Sequence, residues 1–320
     1  MTKPRAIVLG ASGQDGILVA RRLARSGWDV IATGRTLDSV EPRGWALADM
    51  PEAVQRLKLH PSQDGPLADL IDAVRPSAIF CLSAQSSVGR SFAEPEETIR
   101  SNLFPILTVL ETVRRAVPDC HVLVPSSGEI FGETTAAEPA REGADFRPAS
   151  PYAAAKVMAV TAARSYRDAY GLRVSIAHLF GHESPLRDER FVFGKALAGI
   201  AAIRSGAATT VSFGPLDAVR DWGWADDYAA AMVRMAEDSR AWELILATGV
   251  SVSLETALRS LFSAAGLDFD AHVRTDPGAR RPTDIRAMHA DISAARAAIG
   301  WNGSVPFPAL ADRLLSGSIA

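Results

Sequence analysis

A tyrosine and a lysine four positions apart offer acid–base chemistry. Tyr152 and Lys156 bound the run Tyr-Ala-Ala-Ala-Lys. Side chains four residues apart on a helix share one face, so the two groups are expected to lie close together. An ammonium near a phenol favours the phenolate, which can then take a proton from a substrate hydroxyl. The pair therefore predicts oxidation of an alcohol, with hydride leaving the carbon for a nicotinamide.

A second polar group follows the apolar run Val122-Leu123-Val124. The chain continues Pro-Ser-Ser-Gly-Glu, which contains Ser127 and Glu129. Open parallel sheets bind ligands at the carboxyl ends of their strands. Ser127 can hydrogen-bond a substrate oxygen beside Tyr152. Glu129 offers a carboxyl group, which elimination of water requires and simple sugar-nucleotide epimerases do not need. The alternative interpretation is that this loop carboxylate only caps a turn.

A glycine loop opens the chain between a short apolar run and an amphipathic segment. The run is Ala6-Ile7-Val8-Leu9, and the glycines are Gly10, Gly13 and Gly16. Glycine permits a tight turn, close approach of backbone N–H groups to a pyrophosphate, and close packing of helix on strand. The helix N-terminus adds partial positive charge for the phosphates. The pattern predicts a dinucleotide site, although an ordinary glycine turn has the same spacing.

The end of the second predicted strand indicates which dinucleotide binds. NAD-binding proteins usually have an acidic residue there, which holds the ribose hydroxyls, whereas NADP-binding proteins have a basic one. This strand runs into Gly34-Arg35, and no acidic residue follows until Asp38. Arg35 can pair with a 2′-phosphate, unless it is a solvated surface arginine. The sequence favours NADP over NAD.

The elements that must position these residues alternate between strand and helix. Short apolar runs alternate with amphipathic segments as far as about residue 180, and a long helix is predicted from Tyr152 to Tyr170. Such alternation predicts an α/β fold with a doubly wound parallel Rossmann sheet. We expect residues 1–180 to form the dinucleotide-binding domain, with a later return of the chain near 210–228. Residues 181–320, which include a predicted helix over 187–206, should form most of a smaller substrate-binding cap.

The composition excludes several classes of protein. The chain has 320 residues, of which 48% are hydrophobic and 22% charged, with a formal net charge of −3. Such a chain can bury a large core, and its charge indicates neither a nucleic-acid nor a membrane partner. Its two cysteines, Cys81 and Cys120, have no partner motif for a zinc site or a disulfide framework, and no metal site is expected. The first apolar run is too short for a signal peptide, so the cytoplasm is the expected compartment.

Several longer runs, in this order, resemble one family. They are Gly-Ala-Ser-Gly-Gln-Asp-Gly at 10–16, Ser-Ala-Gln-Ser-Ser-Val-Gly-Arg-Ser-Phe at 83–92, Arg-Pro-Ala-Ser-Pro-Tyr-Ala-Ala-Ala-Lys at 147–156, His-Glu-Ser-Pro at 182–185, Leu-Asp-Ala-Val-Arg-Asp-Trp-Gly at 216–223 and Arg-Pro-Thr-Asp at 281–284. The chain thus resembles the extended short-chain dehydrogenases and, within them, the GDP-mannose 4,6-dehydratases. The resemblance extends from residue 6 to about residue 312. The Gln-Asp pair and the His-Glu-Ser-Pro run are the pieces most particular to this family.

The resemblance implies an internal redox cycle on GDP-mannose. Tyr152, helped by Lys156 and Ser127, would take the proton of the C4 hydroxyl as hydride passes to bound NADP. The resulting 4-ketone acidifies the C5 proton, which Glu129 would remove while helping water to leave from C6. The hydride would then go to C6. The product would be GDP-4-keto-6-deoxy-mannose, with no net consumption of cofactor.

The resemblance also implies further contacts. Cofactor contacts are implied at Gly10, Ser12, Gly13, Gln14, Asp15, Gly16, Arg35, Leu82, Ala84, Tyr152, Lys156 and His182. Substrate contacts are implied at Ser86, Val88, Ser127, Glu129, Gly181, Glu183, Arg187, Lys195, Arg220, Arg281 and Asp284. Arg220 and Arg281 would lie at the diphosphate, and Arg187 and Lys195 are further candidates; for each of these four a surface ion pair is the alternative. A homodimer would form through helices near 93–117 and 152–170.

Some positions depart from the family pattern. Gly181 stands where the family usually has asparagine, which removes a substrate hydrogen bond. Arg35 is followed by Thr36 instead of a second arginine, which puts a tetramer in doubt. Leu59-His60 replaces a Gly-Asp pair whose carboxylate meets adenine. Phe131 replaces a tyrosine, and residues 186–190 are also altered.

Other functions fit parts of the same pattern. A reductase of GDP-4-keto-6-deoxy-mannose that forms GDP-rhamnose would keep the Tyr-x-x-x-Lys pair and consume cofactor. Gly181 and the altered 186–190 loop allow a dehydratase of another nucleotide sugar. A non-catalytic nucleotide-sugar-binding protein on the same fold is the remaining alternative, because a fold does not fix a function.

Overall fold

The structure is a computed structural model that describes residues 3–35, 37, 43–60, 64–238, 242–276, 278 and 282–319. Thr36, Asp38 and the predicted diphosphate ligand Arg281 lie outside the described residues. Among the described residues, no helix is both long and apolar enough to cross a membrane.

As far as about residue 180, strands alternate with helices, as the sequence predicts. The strands are β1 (Arg5–Leu9), β2 (Asp29–Gly34), β3 (Gln55–Lys58), β4 (Ala78–Cys81), β5 (His121–Ser127), β6 (Val174–Leu179), β7 (Gly181–Glu183), β8 (Val211–Phe213), β9 (Val219–Trp224), β10 (Glu243–Leu246), β11 (Ser251–Ser253) and β12 (Val273–Thr275). The helices are α1 (Gln14–Arg25), α2 (Arg43–Leu47), α3 (Asp64–Val74), α4 (Val88–Ala93), α5 (Pro95–Ala116), α6 (Pro151–Tyr170), α7 (Val192–Arg204), α8 (Ala225–Glu237), α9 (Leu254–Ala264), α10 (Phe269–His272), α11 (Ser293–Ile299) and α12 (Ala309–Ser316). A 3-10 turn covers Gly128–Phe131.

The large sheet is parallel throughout its described strands, in the order β10-β6-β5-β4-β1-β2-β3. Strands β4 and β6 are buried along their whole length, as expected where helices cover both faces of a sheet. The strand order reverses between β1 and β4, and such a switch point leaves a crevice at the carboxyl ends of the strands. This arrangement confirms the doubly wound Rossmann sheet predicted from the sequence.

The core lies in two layers, because alternate strand residues face opposite sides of the sheet. Ala6 and Val8 of β1 join one cluster with residues of α1 and α8. Ile7 and Leu9 join the other cluster, with residues of α3, α5 and α6. The two layers hold the carboxyl ends of β1, β4 and β5 side by side.

A smaller unit is built on short strands after β6. One small sheet has the order β11-β9-β7, and the other pairs β12 with β8. Its core includes Phe193, Trp222 and Phe307, whose rings contact one another. This unit corresponds to the predicted cap; the division near residue 180 stays a prediction.

Two boundaries differ from the sequence expectations. The chain returns to the large sheet with β10 at Glu243–Leu246, later than the expected 210–228. Helix α8 precedes that strand and packs on the same side of the sheet as α1. Helix α7 begins at Val192 instead of residue 187, because Asp188 bonds the backbone and guanidinium of Arg190 in a turn. A side-chain bond of this kind competes with helix formation.

Candidate active site

Tyr152 and Lys156 lie in the first two turns of α6, as the spacing predicted. Ser150 caps this helix, and its hydroxyl accepts a hydrogen bond from the N–H of Ala153 at 3.1 Å. The Lys156 ammonium donates to the carbonyl oxygen of Pro125 in β5 at 3.1 Å, and its Nζ lies 5.7 Å from the centroid of the Tyr152 ring. The two side chains therefore share one face and point toward the end of β5.

Ser127 and Glu129 reach the same place from the other side. The Tyr152 hydroxyl is hydrogen-bonded to the Ser127 side chain. Ser127 also caps the 3-10 turn, where its Oγ accepts a hydrogen bond from the N–H of Glu129 at 3.3 Å. Glu129 is half-buried and close enough for its charge to raise the pKa of Tyr152. The structure thus brings the four predicted catalytic residues together.

Burial sets the acid–base properties of this group. It raises the pKa of Tyr152 to about 12, although the hydrogen bond from Ser127 acts in the opposite direction. Burial lowers the pKa of Lys156 to about 8. The sequence led us to expect that the ammonium would lower the pKa of the phenol, but in the structure desolvation of the phenolate outweighs every favourable charge.

The glycine loop has the shape that a dinucleotide phosphate needs. Gly10 has φ +86°, and a Cβ there would lie 2.7 Å from the backbone of Leu82 and Ser83. A Cβ on Gly16 would collide with the carbonyl group of Gly10. Gly13 caps α1 without a side-chain hydrogen bond, and Ser12 and Gly13 are exposed. Among the described residues, no side chain therefore caps the start of α1, as a helix end that receives an anion requires.

The segment after β4 lies next to this loop. Leu82 contacts Gly10, whereas Ala84 and Ser86 are exposed and Val88 is half-buried at the start of α4. Gln85 fixes the segment, because its amide nitrogen donates to Thr98 Oγ1 at 3.0 Å. Leu82 therefore borders the crevice between β1 and β4, and ligand contacts of the other three residues stay a prediction.

Gln14 and Asp15 meet the His-Glu-Ser-Pro run, a contact that the sequence did not predict. The Gln14 side-chain amide donates to the carbonyl oxygen of His182 at 3.1 Å and accepts from Ser184 Oγ at 2.8 Å. His182 Nε2 lies 3.0 Å from Asp15 Oδ1. We call Gln14, Asp15, His182 and Ser184 the clamp. Contact of Gln14, Asp15 and His182 with the cofactor stays a prediction.

Glu183 and Arg187 form an ion pair beside the clamp. Their Oε2 and Nε atoms lie 3.1 Å apart, and Glu183 is only 3% exposed. Burial raises the pKa of Glu183 while the charge of Arg187 lowers it. Arg187 also packs against Phe191, with its guanidinium carbon 3.8 Å from the ring centroid, and its charge acts on Tyr152. Arg187 therefore lies near Tyr152, and contact of Glu183 and Arg187 with a substrate stays a prediction.

The remaining predicted ligands are spread along the cap. Arg220 donates to the carbonyl oxygen of Ile285 at 2.7 Å and lies 3.3 Å from Asp284 Oδ1, so two predicted substrate residues are adjacent. Lys195 is exposed on α7, and its Nζ lies 5.6 Å from the centroid of Phe213.

Gly181 and Leu59-His60, which depart from the family pattern, lie in different surroundings. A side chain at Gly181 would collide with the ring of Trp222 and lie 2.7 Å from the carbonyl oxygen of Asp221. Trp222 thus leaves no room for a side chain at position 181. Leu59 packs in the core and His60 is exposed. Arg35 is exposed directly after β2, next to the glycine loop.

Two aromatic residues at the site were missed by sequence reasoning. The indole N–H of Trp45 donates to the carbonyl oxygen of Ala11 in the glycine loop at 2.8 Å. Tyr228 of α8 is fully buried and stacks on His182, with ring centroids 4.7 Å apart. No sequence pattern around Trp45 indicates its contact with the glycine loop. Tyr228 belongs to an amphipathic helix, whose pattern predicts only a core residue.

Comparison with known proteins agrees with this geometry. Residues 7–314 match the family described as GDP-mannose 4,6 dehydratase. GDP-mannose 4,6 dehydratase 1 of Arabidopsis thaliana is 33% identical in an alignment that covers 98% of this chain and 90% of that protein.

Solved structures share the fold. DesIV, a dTDP-glucose 4,6-dehydratase from Streptomyces venezuelae with NAD and TYD bound, superposes with a TM-score of 0.86 at 22% identity, covering 98% of this chain and 96% of that one. RMD from Pseudomonas aeruginosa, complexed with NADPH, superposes with a TM-score of 0.80 at 23% identity, covering 98% and 97%. The sequence match spans nearly the whole chain, so it shows the family as well as the fold. It confirms the resemblance found in the motifs: this chain belongs to the GDP-mannose 4,6-dehydratase family.

Proposed function

We propose that this protein is a GDP-mannose 4,6-dehydratase, which converts GDP-mannose to GDP-4-keto-6-deoxy-mannose. The observation that carries the proposal is the meeting of Ser127, Glu129, Tyr152 and Lys156 at the carboxyl end of β5 in a chain of this family. Ser127, Tyr152 and Lys156 suit removal of a hydride and a proton from an alcohol. Only a dehydration requires the carboxyl group of Glu129 as well.

We further propose that NADP is the cofactor. The exposed glycine loop and the uncapped start of α1 fit a pyrophosphate, and Arg35, exposed after β2, suits a 2′-phosphate. When bound, the nicotinamide supplies a hydride acceptor that returns the hydride later in the same cycle. The chain itself holds the phosphates and the nucleoside, and Trp45 holds the loop in place through Ala11.

Tyr152 and Ser127 would handle the proton at C4. Their hydroxyl groups share a hydrogen bond, so a substrate C4 hydroxyl placed beside them can pass its proton to the Tyr152 oxygen. The positive charge of Lys156 would favour the phenolate during this transfer. Lys156 is itself held by the carbonyl oxygen of Pro125, which fixes the ammonium under the ring.

Glu129 would handle the protons at C5 and C6. Once C4 is a ketone, the neighbouring C5 proton becomes acidic, and a carboxylate held beside Tyr152 can remove it. The carboxyl group then carries the proton that the departing C6 hydroxyl needs to leave as water. The N-cap bond from Ser127 to the N–H of Glu129 holds the backbone of this residue in position.

The cap would hold the GDP part of the substrate. Arg220 has its guanidinium anchored on the carbonyl oxygen of Ile285, beside Asp284, and such a group suits a diphosphate. Lys195 and Arg281 complete the proposed set, and we propose that Glu183 and Arg187 contact the sugar. A dehydratase of another nucleotide sugar is the second candidate, because Trp222 occupies the space of the missing side chain at Gly181.

The first test is incubation of the purified protein with GDP-mannose and catalytic NADP, followed by mass spectrometry. We expect a product lighter by one water, without net reduction of the cofactor. Folded protein that binds NADP and leaves GDP-mannose unchanged would contradict the proposal. The same assay with other nucleotide sugars then tests the second candidate.

A further inference from the structure

The turn that carries Glu129 is too short to hold its own shape. It is one turn of 3-10 helix, Gly128–Phe131, closed by a hydrogen bond from the N–H of Gly132 to the carbonyl oxygen of Glu129 at 3.3 Å. Hydrogen bonds in a 3-10 turn have poorer geometry than those in an α-helix, and an isolated helical turn is not stable in water. Besides the cap at Ser127, contacts with the rest of the protein must therefore fix the place of Glu129.

Phe131 anchors this turn in the interior. Its side chain is buried, and its ring meets the rings of Phe146 and His178 edge to face, with centroid distances of 5.8 and 5.3 Å. Phe146 and His178 also contact each other, at 6.2 Å. Aromatic rings prefer such edge-to-face arrangements. Because Phe131 lies two residues after Glu129 in the same turn, its ring limits how far the turn can rotate.

A network of charged side chains holds the far side of His178. The Nε2 atom of His178 lies 2.8 Å from Glu243 Oε1, and Arg164 Nε donates to Glu243 Oε2 at 3.0 Å. The guanidinium carbon of Arg164 lies 4.9 Å from the centroid of the Phe146 ring. Although burial acts to raise it, the hydrogen bonds from His178 and Arg164 lower the pKa of Glu243 to about 2. An ionised carboxylate can only accept, so His178 Nε2 must donate, and this bond fixes the orientation of the imidazole ring.

These contacts close into a cycle. We call Phe131, Phe146, Arg164, His178 and Glu243 the support cluster. Its members come from the 3-10 turn, the segment before α6, α6 itself, β6 and β10. A buried ion pair often contributes little net stability, whereas its directional bonds hold the side chains in one place. The effect of the cluster on the turn is therefore mainly geometric.

We propose that the support cluster positions the carboxyl group of Glu129 for removal of the C5 proton, with Phe131 and His178 as positioning residues. When the contact between their rings is lost, the turn can rotate and the carboxyl group moves away from C5. This inference rests on the proposed function, because that function supplies the step in which Glu129 acts.

The residues that oxidise C4 are held by other contacts. Ser127 is the last residue of β5, and Tyr152 lies in α6. The ammonium of Lys156 is fixed by the carbonyl oxygen of Pro125. A displaced turn should therefore slow the elimination of water and leave the oxidation of C4 intact, which a general loss of structure would not do.

The test compares the rates of these two steps in the whole protein loaded with NADP⁺ and mixed rapidly with GDP-mannose. Absorbance of the reduced nicotinamide reports oxidation of C4, and mass spectrometry of quenched samples reports loss of water. Phe131→Leu removes one ring of the contact, and His178→Gln removes the other while keeping an N–H donor for Glu243. In each variant the rate constant for water loss should fall by roughly 10–100-fold, as expected for a catalytic group displaced by about 1 Å. The rate constant for cofactor reduction should stay unchanged, so reduced cofactor should accumulate more than in the unaltered protein.

Phe269→Leu is the matched control. The Phe269 ring meets Phe262 edge to face at 6.0 Å and packs against the guanidinium of Arg259 in the cap, so this variant loses similar contacts away from the turn. It should leave both rate constants unchanged.

Two results would overturn the role of the support cluster while leaving the proposed function intact. One is an equal fall of both rate constants in Phe131→Leu and His178→Gln, and the other is no fall of either. Unaltered protein that binds NADP⁺ but neither reduces it with GDP-mannose nor removes water would overturn the proposed function and this inference with it.

Discussion

The ammonium of Lys156 bonds to the carbonyl oxygen of Pro125 at 3.1 Å and thereby joins α6 to the end of β5. Lys156 is 4% exposed, so this charge lies in the protein interior and its pKa falls to about 8. The lysine therefore serves two purposes: it positions the helix that carries Tyr152, and it keeps a positive charge beneath the phenol at neutral pH.

The pKa of Lys156 predicts a dependence of stability on pH. The folded-state pKa of Lys156 lies near 8, whereas that of an unfolded lysine is about 10.4, so Lys156 is more fully protonated in the unfolded chain between these pH values. The contribution of Lys156 to the free energy of unfolding should therefore rise with pH across this window, by at most about 3 kcal/mol. Above pH 9 the buried thiols of Cys81 and Cys120, whose pKa burial raises to about 12, act in the opposite direction, so the comparison with a Lys156 variant isolates this contribution. In Lys156→Met the rise should disappear. Urea unfolding of both proteins at several pH values from roughly 8 to 10 measures this contribution. An equal slope in the two proteins would argue against the shift.

Replacement of Glu129 should separate the oxidation of C4 from the elimination of water. In Glu129→Gln the amide cannot take the C5 proton, so we expect kcat for water loss to fall by about 10²–10⁴-fold. Tyr152, Ser127 and Lys156 remain, so GDP-mannose should still reduce bound cofactor, which absorbance reports. The matched control Glu133→Gln changes an exposed carboxyl group just beyond the 3-10 turn and should keep full activity. Undiminished water loss in Glu129→Gln would rule out its role as the base.

Arg35 should set the preference for NADP over NAD. Loss of a charge-assisted bond to a 2′-phosphate costs about 1.5–3 kcal/mol, so Arg35→Ala should weaken NADP⁺ binding by roughly 10–100-fold and leave NAD⁺ binding unchanged. Arg25→Ala is the control, because this arginine pairs with Asp49 at the far end of α1. If both dinucleotides weaken equally in titrations of Arg35→Ala, the arginine does not contact the 2′-phosphate.

The contact between Gly181 and Trp222 predicts intolerance of any side chain at position 181. Gly181→Ala places a Cβ against the Trp222 ring, and overpacking of this kind costs about 1–3 kcal/mol. Thermal unfolding should show a lower Tm. Gly65→Ala in α3, where a Cβ would meet nothing within 4 Å, should leave Tm unchanged or raise it. An unchanged Tm in Gly181→Ala would mean that Trp222 moves aside without cost.

The predicted homodimer should depend on the outer face of α5 and α6. Phe104 and Tyr170 on these helices are 43% and 56% exposed. A charge at a buried dimer interface is costly, so Phe104→Glu should produce monomers in analytical ultracentrifugation. Trp242→Glu changes another exposed aromatic residue, outside these helices, and should not alter the sedimentation. A monomeric unaltered protein would show that this homodimer does not form.

The order of the elements and the choice of candidate catalytic residues followed from local sequence patterns. The apolar run before Gly10 and the helical spacing of Tyr152 and Lys156 depend on a few neighbouring residues, so backbone periodicity alone predicts them. The parallel sheet followed because strand and helix alternate. Element boundaries were less predictable: the turn at Asp188 shortened α7 through a side-chain bond that periodicity does not reveal.

Tertiary structure alone decided the contacts between distant segments. Ser184 bonds to Gln14 across 170 residues, and Trp45 bonds to Ala11 across 34 residues, and neither pair shares a local pattern. The upward pKa of Tyr152 had the same origin, because desolvation depends on every element packed around the phenol. Sequence spacing therefore determined which groups are present at the site, while packing determined their charge and their connections.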